Sequence, residues 1–387
     1  MAGKKRTSTA RQVARERVML DFHHHDALSE QVTEPLRGNL SVVKQSGSCL
    51  WVASDETDTI ERLTTDDWRS FGQHTPYRLT DFFDLPVKGE VDVEGLSVDG
   101  DYLWICGSHS LKRKKPSLDE HGVEEALERL TKIECEPNRY LLGRIPLVRD
   151  GADGVYTLCR SAPSNDGGAE LTAGRLKMDP AGANALSKAL AKDEHLGRFM
   201  AIPSKDNGFD IEGISARGER VFLGMRGPVL RGWAVILELV VAEKGHNAKS
   251  TGLKLRKIGP EGERYRKHFL DLDGLGIREL SLEGDDLLIL AGPTMDLDGP
   301  VVLYRWPDAW NQREETIIPR SRLERVMDIP NGVGTDHAEG ATLFARPDQP
   351  LSVLVVYDSP APDRLAPNGR GVAADVFPLP AKRRDDP

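Results

Sequence analysis

Cysteine is scarce in this 387-residue sequence: Cys49, Cys106, Cys135 and Cys159 are the four, and no two form a CxxC pair. No cysteine motif for metal or redox chemistry is therefore present, and Cys49 and Cys106 fall in or beside predicted strands, where a buried free thiol is ordinary. No apolar run approaches the ~20 residues that span a bilayer. The stretch from Met1 to Arg17 is basic and lacks the apolar segment of a secretory signal, so it reads as a disordered tail and the location as cytoplasmic. A net charge of −9 opposes binding to nucleic acid or anionic membrane. There is no G-x-S-x-G elbow and no P-loop, which leaves serine-elbow acyl transfer and ordinary nucleotide hydrolysis without support.

What the sequence does contain is a recurring phrase. Val91-Asp92-Val93-Glu94-Gly95-Leu96-Ser97 returns as Phe209-Asp210-Ile211-Glu212-Gly213-Ile214-Ser215. Altered copies are Gly276-Ile277-Arg278-Glu279-Leu280-Ser281 and Asp336-His337-Ala338-Glu339-Gly340-Ala341-Thr342, and Arg37-Gly38-Asn39-Leu40-Ser41 reads as a degenerate fifth. Each is followed by a polar turn and a β-rich run, among them Cys49-Leu50-Trp51-Val52 and Arg220-Val221-Phe222-Leu223. A hairpin repeated every few tens of residues is one supersecondary unit in an array.

Aligned on the Leu-Ser or Ile-Ser pair, the slot of Glu94 holds Gly38, Glu212, Arg278 and Glu339 in the other copies. The steps from Gly38 onward are 56, 118, 66 and 61 residues, so an insertion or a weak unit lies between Glu94 and Glu212. Propeller blades run ~40–50 residues, and longer loops account for the excess. The sequence therefore predicts an all-β fold, a five- or six-bladed β-propeller with small helical insertions. Its organisation reads as a basic tail over 1–16, one propeller domain over 17–380 and a tail over 381–387. Charged or Gly/Asp-rich insertions fall near 111–136 and 161–198, with helices expected around Val123 to Ile133 and Ala181 to Lys192. Arg17 to Phe22 and Gly371 to Phe377 read as strands that share a blade and close the ring. In His23-His24-His25, neighbouring side chains on a strand point to opposite faces, which favours a plain surface role.

In a propeller the innermost strands surround one axis, so equivalent residues converge there. The alignment brings Glu94, Glu212, Arg278 and Glu339 together, with Asp92, Asp210, Gly276 and His337 two residues earlier on the same face. The returning strands end at the same rim with Asp55, Ser108-His109, Arg226, Gly292-Pro293 and Asp358. Crowded carboxylates repel unless a cation compensates them. Asp92, Glu94, Asp210, Glu212 and Glu339 are accordingly candidate metal ligands, of an oxygen-rich kind suited to Ca2+ or Mg2+. Arg226 and Arg278 are candidate groups for neutralising substrate charge, and His109 and His337 candidate general acids or bases. Set beside this is a scaffold role, in which rim carboxylates bond backbone amides of the adjoining blade and Gly95, Gly213 and Gly340 relieve crowding.

Asp210-Ile211-Glu212-Gly213, Gly224-Met225-Arg226-Gly227-Pro228 and Gly274-Leu275-Gly276-Ile277-Arg278 resemble an uncharacterised bacterial family catalogued only as a domain of unknown function. Asp92-Val93-Glu94-Gly95 and Cys106-Gly107-Ser108-His109-Ser110 fit it too, and the resemblance runs from about Arg37 onward. More distantly, the Asp-x-Glu-Gly phrase is similar to that of esterase-like phytase propellers, which implies a metal-dependent hydrolase of phosphoesters. Two functions follow as expectations. One is a divalent-metal-assisted hydrolase of a small anionic, phosphorylated substrate; the other is a non-catalytic propeller that binds a ligand or a protein partner at the same rim.

Overall fold

The computed structural model describes residues 16–23 and 36–382, apart from 152–153, 165, 169, 248–249 and 296. Of the expected tails over 1–16 and 381–387, residues 1–15 and 383–387 lie outside the described residues, as do His24 and His25, and Glu16 already belongs to a strand. The chain is a β-propeller. Its strands group into antiparallel units, each beginning with an inner strand and a hairpin. The inner strands are Val42–Ser46, Val93–Asp99, Asp210–Arg217, Gly276–Glu283 and His337–Phe344, and each packs against the next until the fifth meets the first. Five such units are seen among the described residues. The doubled step between Glu94 and Glu212 holds an insertion within the second unit.

The hairpins explain why these segments fold as they do. Four inner strands turn back through two-residue turns whose first residue is Gly47, Gly100, Gly218 or Gly284, at φ of 53°, 54°, 62° and 64°. Glycine enters this left-handed region without the cost a Cβ would impose, and such turns match the right-handed twist of the strands. The returning strands are nearly all apolar because both faces are covered by neighbouring units. Apolar side chains gather in five clusters, each lying between two adjacent units. Trp51, for example, fills the seam between the first and second units, and Phe222 that between the third and fourth.

The ring closes as the terminal segments imply. Glu16–Asp21 pairs antiparallel with Gly371–Pro378, from Glu16 opposite Val376 to Asp21 opposite Gly371, and so forms the outer strand of the fifth unit. In the second unit a tight turn over Pro137–Tyr140 leads into the third strand, Leu142–Asp150. The helices are α1, Leu118–Thr131, kinked at Gly122, and α2, Ala185–Leu190. α2 begins later than the expected Ala181, because Asn184 caps it and forms a reciprocal capping box with Ser187. The first insertion, and the second from α2 onward, connect strands at the end of the channel where the inner strands begin. Ser204 N–H donates to the Leu111 carbonyl, and Arg113 pairs with Asp206 just ahead of the third inner strand.

Candidate functional site at the channel mouth

The repeated slot has one structural meaning in four of the units. Pairing with the second strand slips by one residue between Val93 and Gly95, Ile211 and Gly213, Ile277 and Glu279, and Ala338 and Gly340. Glu94, Glu212, Arg278 and Glu339 are thus the extra residue of a β-bulge. A bulge re-aims a side chain away from the ladder, here towards the axis. After the three glutamates the following glycine is needed because a neighbour packs there: a Cβ on Gly213 would sit 2.9 Å from Leu280 Cγ, and one on Gly95 2.8 Å from Ile214 Cγ2; after Arg278 the position is taken by Glu279.

The first unit corrects the repeat alignment. Its hairpin pairs Val42 with Ala53, as Gly95 pairs with Cys106, which puts Ser41 in the slot rather than Gly38. Leu40-Ser41 imitates the repeat phrase but lies three residues out of register. Lys44 then occupies the position of Ser97, Ser215, Ser281 and Thr342. Those four small side chains leave room for its stem, and its ammonium reaches the Leu280 carbonyl at 2.8 Å, Ser281 Oγ at 2.9 Å and Glu279 at 3.0 Å. Inner strands have one unpaired edge, and Lys44 satisfies edge carbonyls of two other units, including Ala341. This buried pair forms a floor beneath the carboxylates.

The mouth has two unlike halves. In one, Arg226 Nη1 donates to Glu212 at 2.9 Å, Arg278 Nη1 to Glu339 at 2.7 Å, and Arg278 Nε lies 3.5 Å from Glu212. Asp210 stands 4.0 Å from Arg226. Both arginines also bond the carbonyls of Thr294 and Pro293, so their charge and direction are taken up within the protein. In the other half, Asp55, Asp92 and Glu94 bring carboxylate oxygens within 4.8 Å of one another. Arg139, from the insertion, pairs with one Asp92 oxygen; the other is buried with no partner. Neither Asp55 nor Glu94 has a hydrogen-bond or ion-pair partner among the described residues.

The electrostatics follow from this division. Burial, then Asp92, Glu212, Asp55 and Asp210, push the Glu94 carboxyl well above its ordinary range, although it touches the lumen. Burial and the charges of Asp92 and Glu339 do the same to Asp55, against a small opposing pull from Lys205. Asp210 is pushed up to about 8 by burial and Glu212, and Asp358 to about 6 by burial and Glu339. Counting Asp55, Asp92, Glu94, Asp210, Glu212, Glu339 and Asp358 against Arg139, Arg226 and Arg278 gives seven carboxylates and three guanidiniums. With the Lys205 ammonium, which acts on both Asp55 and Asp358, the fully ionised mouth would carry three surplus negative charges.

The two histidines part company. His337 lies at the rim with Nε2 3.0 Å from Asp298 and Nδ1 3.9 Å from Asp358. His109 is buried: Nδ1 meets the Gly107 carbonyl at 2.9 Å and Nε2 the Asn184 amide at 3.0 Å, and burial lowers its pKa to about 4. It ties α2 to the second unit. Two residues outside the repeat phrase complete the site. Asp55 stands at a second-strand end, legible once the hairpins are aligned; Arg139 lies in an insertion and carries no repeat signal.

Residues 39–375 match the family model described as "Protein of unknown function (DUF3616)", and the chain belongs to that family. No curated protein matches it. Among solved structures it is similar to the glutaminyl cyclase of Myxococcus xanthus, with 10% identity and a TM-score of 0.35 over 93% of this chain and 97% of that one. It is similar also to a putative 6-phosphogluconolactonase of Bacteroides fragilis, with 11% identity and a TM-score of 0.30 over 91% and 89%. The fold assignment rests on the strand pairing. Among the described residues no helix is long and apolar enough to cross a membrane.

Proposed function

We propose that the channel mouth holds a divalent cation, Ca2+ or Mg2+, between Asp55, Asp92 and Glu94, and uses it to hydrolyse a small anionic, phosphorylated substrate. The observation that carries this reading is the uncompensated half of the mouth. Three carboxylates meet within 4.8 Å, and one buried Asp92 oxygen is left unpartnered. Buried polar atoms are rarely left so, and oxygen-only donors suit a hard cation. A bound cation would supply Lewis-acid polarisation of a phosphoryl oxygen and lower the pKa of an attending water.

The chain's own residues divide the remaining work. Asp210, Glu212 and Glu339 flank the triad, with Arg226 and Arg278 fixing Glu212 and Glu339 in place. Those arginines act on the substrate's charge chiefly by holding the two carboxylates in place. His337, oriented by Asp298, and Asp358 stand at the rim where a proton on an attacking water or a leaving oxygen would be handled. The phytase-like Asp-x-Glu-Gly phrase agrees with this chemistry. The test is metal content in protein purified without chelator, together with hydrolysis of p-nitrophenyl phosphate. Stoichiometric divalent ion and turnover lost on chelation are expected. Metal-free protein, inert towards the ester and unaffected by chelator, would leave the non-catalytic ligand-binding propeller as the reading.

A further inference from the structure

The exposed apolar surface is concentrated on one face. Of eleven exposed large apolar side chains among the described residues, nine lie on connections at the mouth end; the exceptions are Ile317, on an outer strand, and Leu351, on the opposite-face hairpin. On one flank α1 exposes Val123, Leu127 and Leu130, at helical spacings of four and three, by 67%, 61% and 44%. On the other, Met295 and Leu297 are 42% and 62% exposed, and Val333 is 91% exposed. Pro293, Thr294 and Asp298 beside them are anchored: Arg226 and Arg278 bond the carbonyls of the first two, and Asp298 accepts from Gly334 and meets His337. Single exposed apolar residues are ordinary, but a set gathered on one side around a polar centre marks an interaction surface.

Charge selects the occupant. The centre of this face carries the surplus carboxylates, with orphaned oxygens on Asp92 and Asp210, each residue only 2% exposed. A second copy facing the first would bring two negative mouths together, and an anionic membrane is opposed by the chain's net charge of −9. We infer that the mouth face docks a protein partner through a basic side chain, lysine or arginine, that enters the carboxylate mouth while flanking apolar residues cover the two lips. The pattern is that of an interface with a polar specificity group inside an apolar surround. This goes beyond the hydrolase reading: a partner seated so covers the mouth, and its basic group and a divalent cation exclude each other.

The test uses the full chain and a short fluorescein-labelled peptide in which lysine alternates with leucine. Two control peptides carry glutamate for lysine or serine for leucine. Fluorescence anisotropy should show binding of the first peptide alone, weakened about tenfold or more in the Leu127→Ser/Leu297→Ser double variant and in Glu94→Gln. Leu351→Ser, on the opposite face, should leave it unchanged, and hydrogen exchange should show protection over 123–130 and 293–298. Equal binding of the glutamate peptide, an unaffected Leu127→Ser/Leu297→Ser variant, or protection confined to the opposite face would overturn the proposal. Dimerisation by light scattering without peptide binding would instead assign the face to a second copy. Binding to anionic vesicles alone would assign it to a membrane. Calcium affinity, read separately by calorimetry, decides the metal reading on its own.

Discussion

Two sets of buried charges in this propeller obey opposite rules. Far from the axis, charged residues on the third strands are matched. Glu238 meets Arg220 at 2.9 Å, His268 at 3.0 Å and Arg266 at 3.2 Å. Arg305 is held between Glu283 and Glu324, and Asp375 between Arg364 and the Tyr357 hydroxyl. Glu61 likewise bonds His74 and the Thr59 hydroxyl. At the axis, Asp55 and Glu94 have no such partners among the described residues. Burying a charge is costly either way, and a matched pair recovers much of that cost. What sets the mouth apart is therefore the missing partner at Asp55 and Glu94, and burial of charge alone identifies nothing.

The largest effect should come from unmatching a matched charge. Arg278→Met leaves Glu339 without its guanidinium and Glu212 with Arg226 alone, and urea denaturation should show a loss of about 3–5 kcal/mol. A loss below about 1 kcal/mol would mean that the ring residues do not converge as described. A smaller effect is expected at the outer set. Glu238→Gln should lower stability by about 1–3 kcal/mol, because Arg220 and His268 lose a buried acceptor. By contrast Glu94→Gln should raise the thermal midpoint of chelator-treated protein, since it removes a charge that nothing offsets. Destabilisation of that form by Glu94→Gln would erase the difference between the two regions. Coupling between Glu212→Gln and Arg278→Met in a double-mutant cycle should be about 0.5–3 kcal/mol, and strict additivity would separate them.

The pH dependence sharpens the same contrast. Asp210 and Asp358 are carboxyls whose folded-state pKa lies above the unfolded value, at about 8 and about 6. Between an unfolded value near ~4 and those values the folded chain binds more protons than the unfolded one, so stability falls as pH rises through that window. Chelator-treated protein should therefore melt at progressively lower temperature from pH 5 to pH 8, and divalent cation should restore most at the alkaline end. A melting temperature that rises over that range would contradict the raised carboxyls.

Much of this was legible in the sequence, for identifiable reasons. The bulged Glu-Gly pair recurs in three units because packing there leaves no room for a Cβ after the slot, whereas the fourth unit has Glu279 at that position, paired with Lys44. Ring closure was legible because two unpaired strand patterns stood at opposite ends. The first unit was misaligned because Leu40-Ser41 imitates the phrase, whereas the Gly47 turn fixes the true register and places Ser41 and Lys44. Arg139 and Asp298 were out of reach, as they lie in connections whose positions only the folded chain defines. The separate surroundings of His109 and His337 were hidden likewise, since Asn184 approaches His109 from an insertion 75 residues away.

Calorimetric titration of calcium into chelator-treated wild type and into the Asp55→Asn/Glu94→Gln double variant tests the central claim most directly. The account predicts one site per chain in the wild type, lost or weakened at least about a hundredfold in the double variant, with Glu238→Gln leaving the affinity unchanged. Equal calcium affinity in the wild type and the double variant, or none in either, would contradict it.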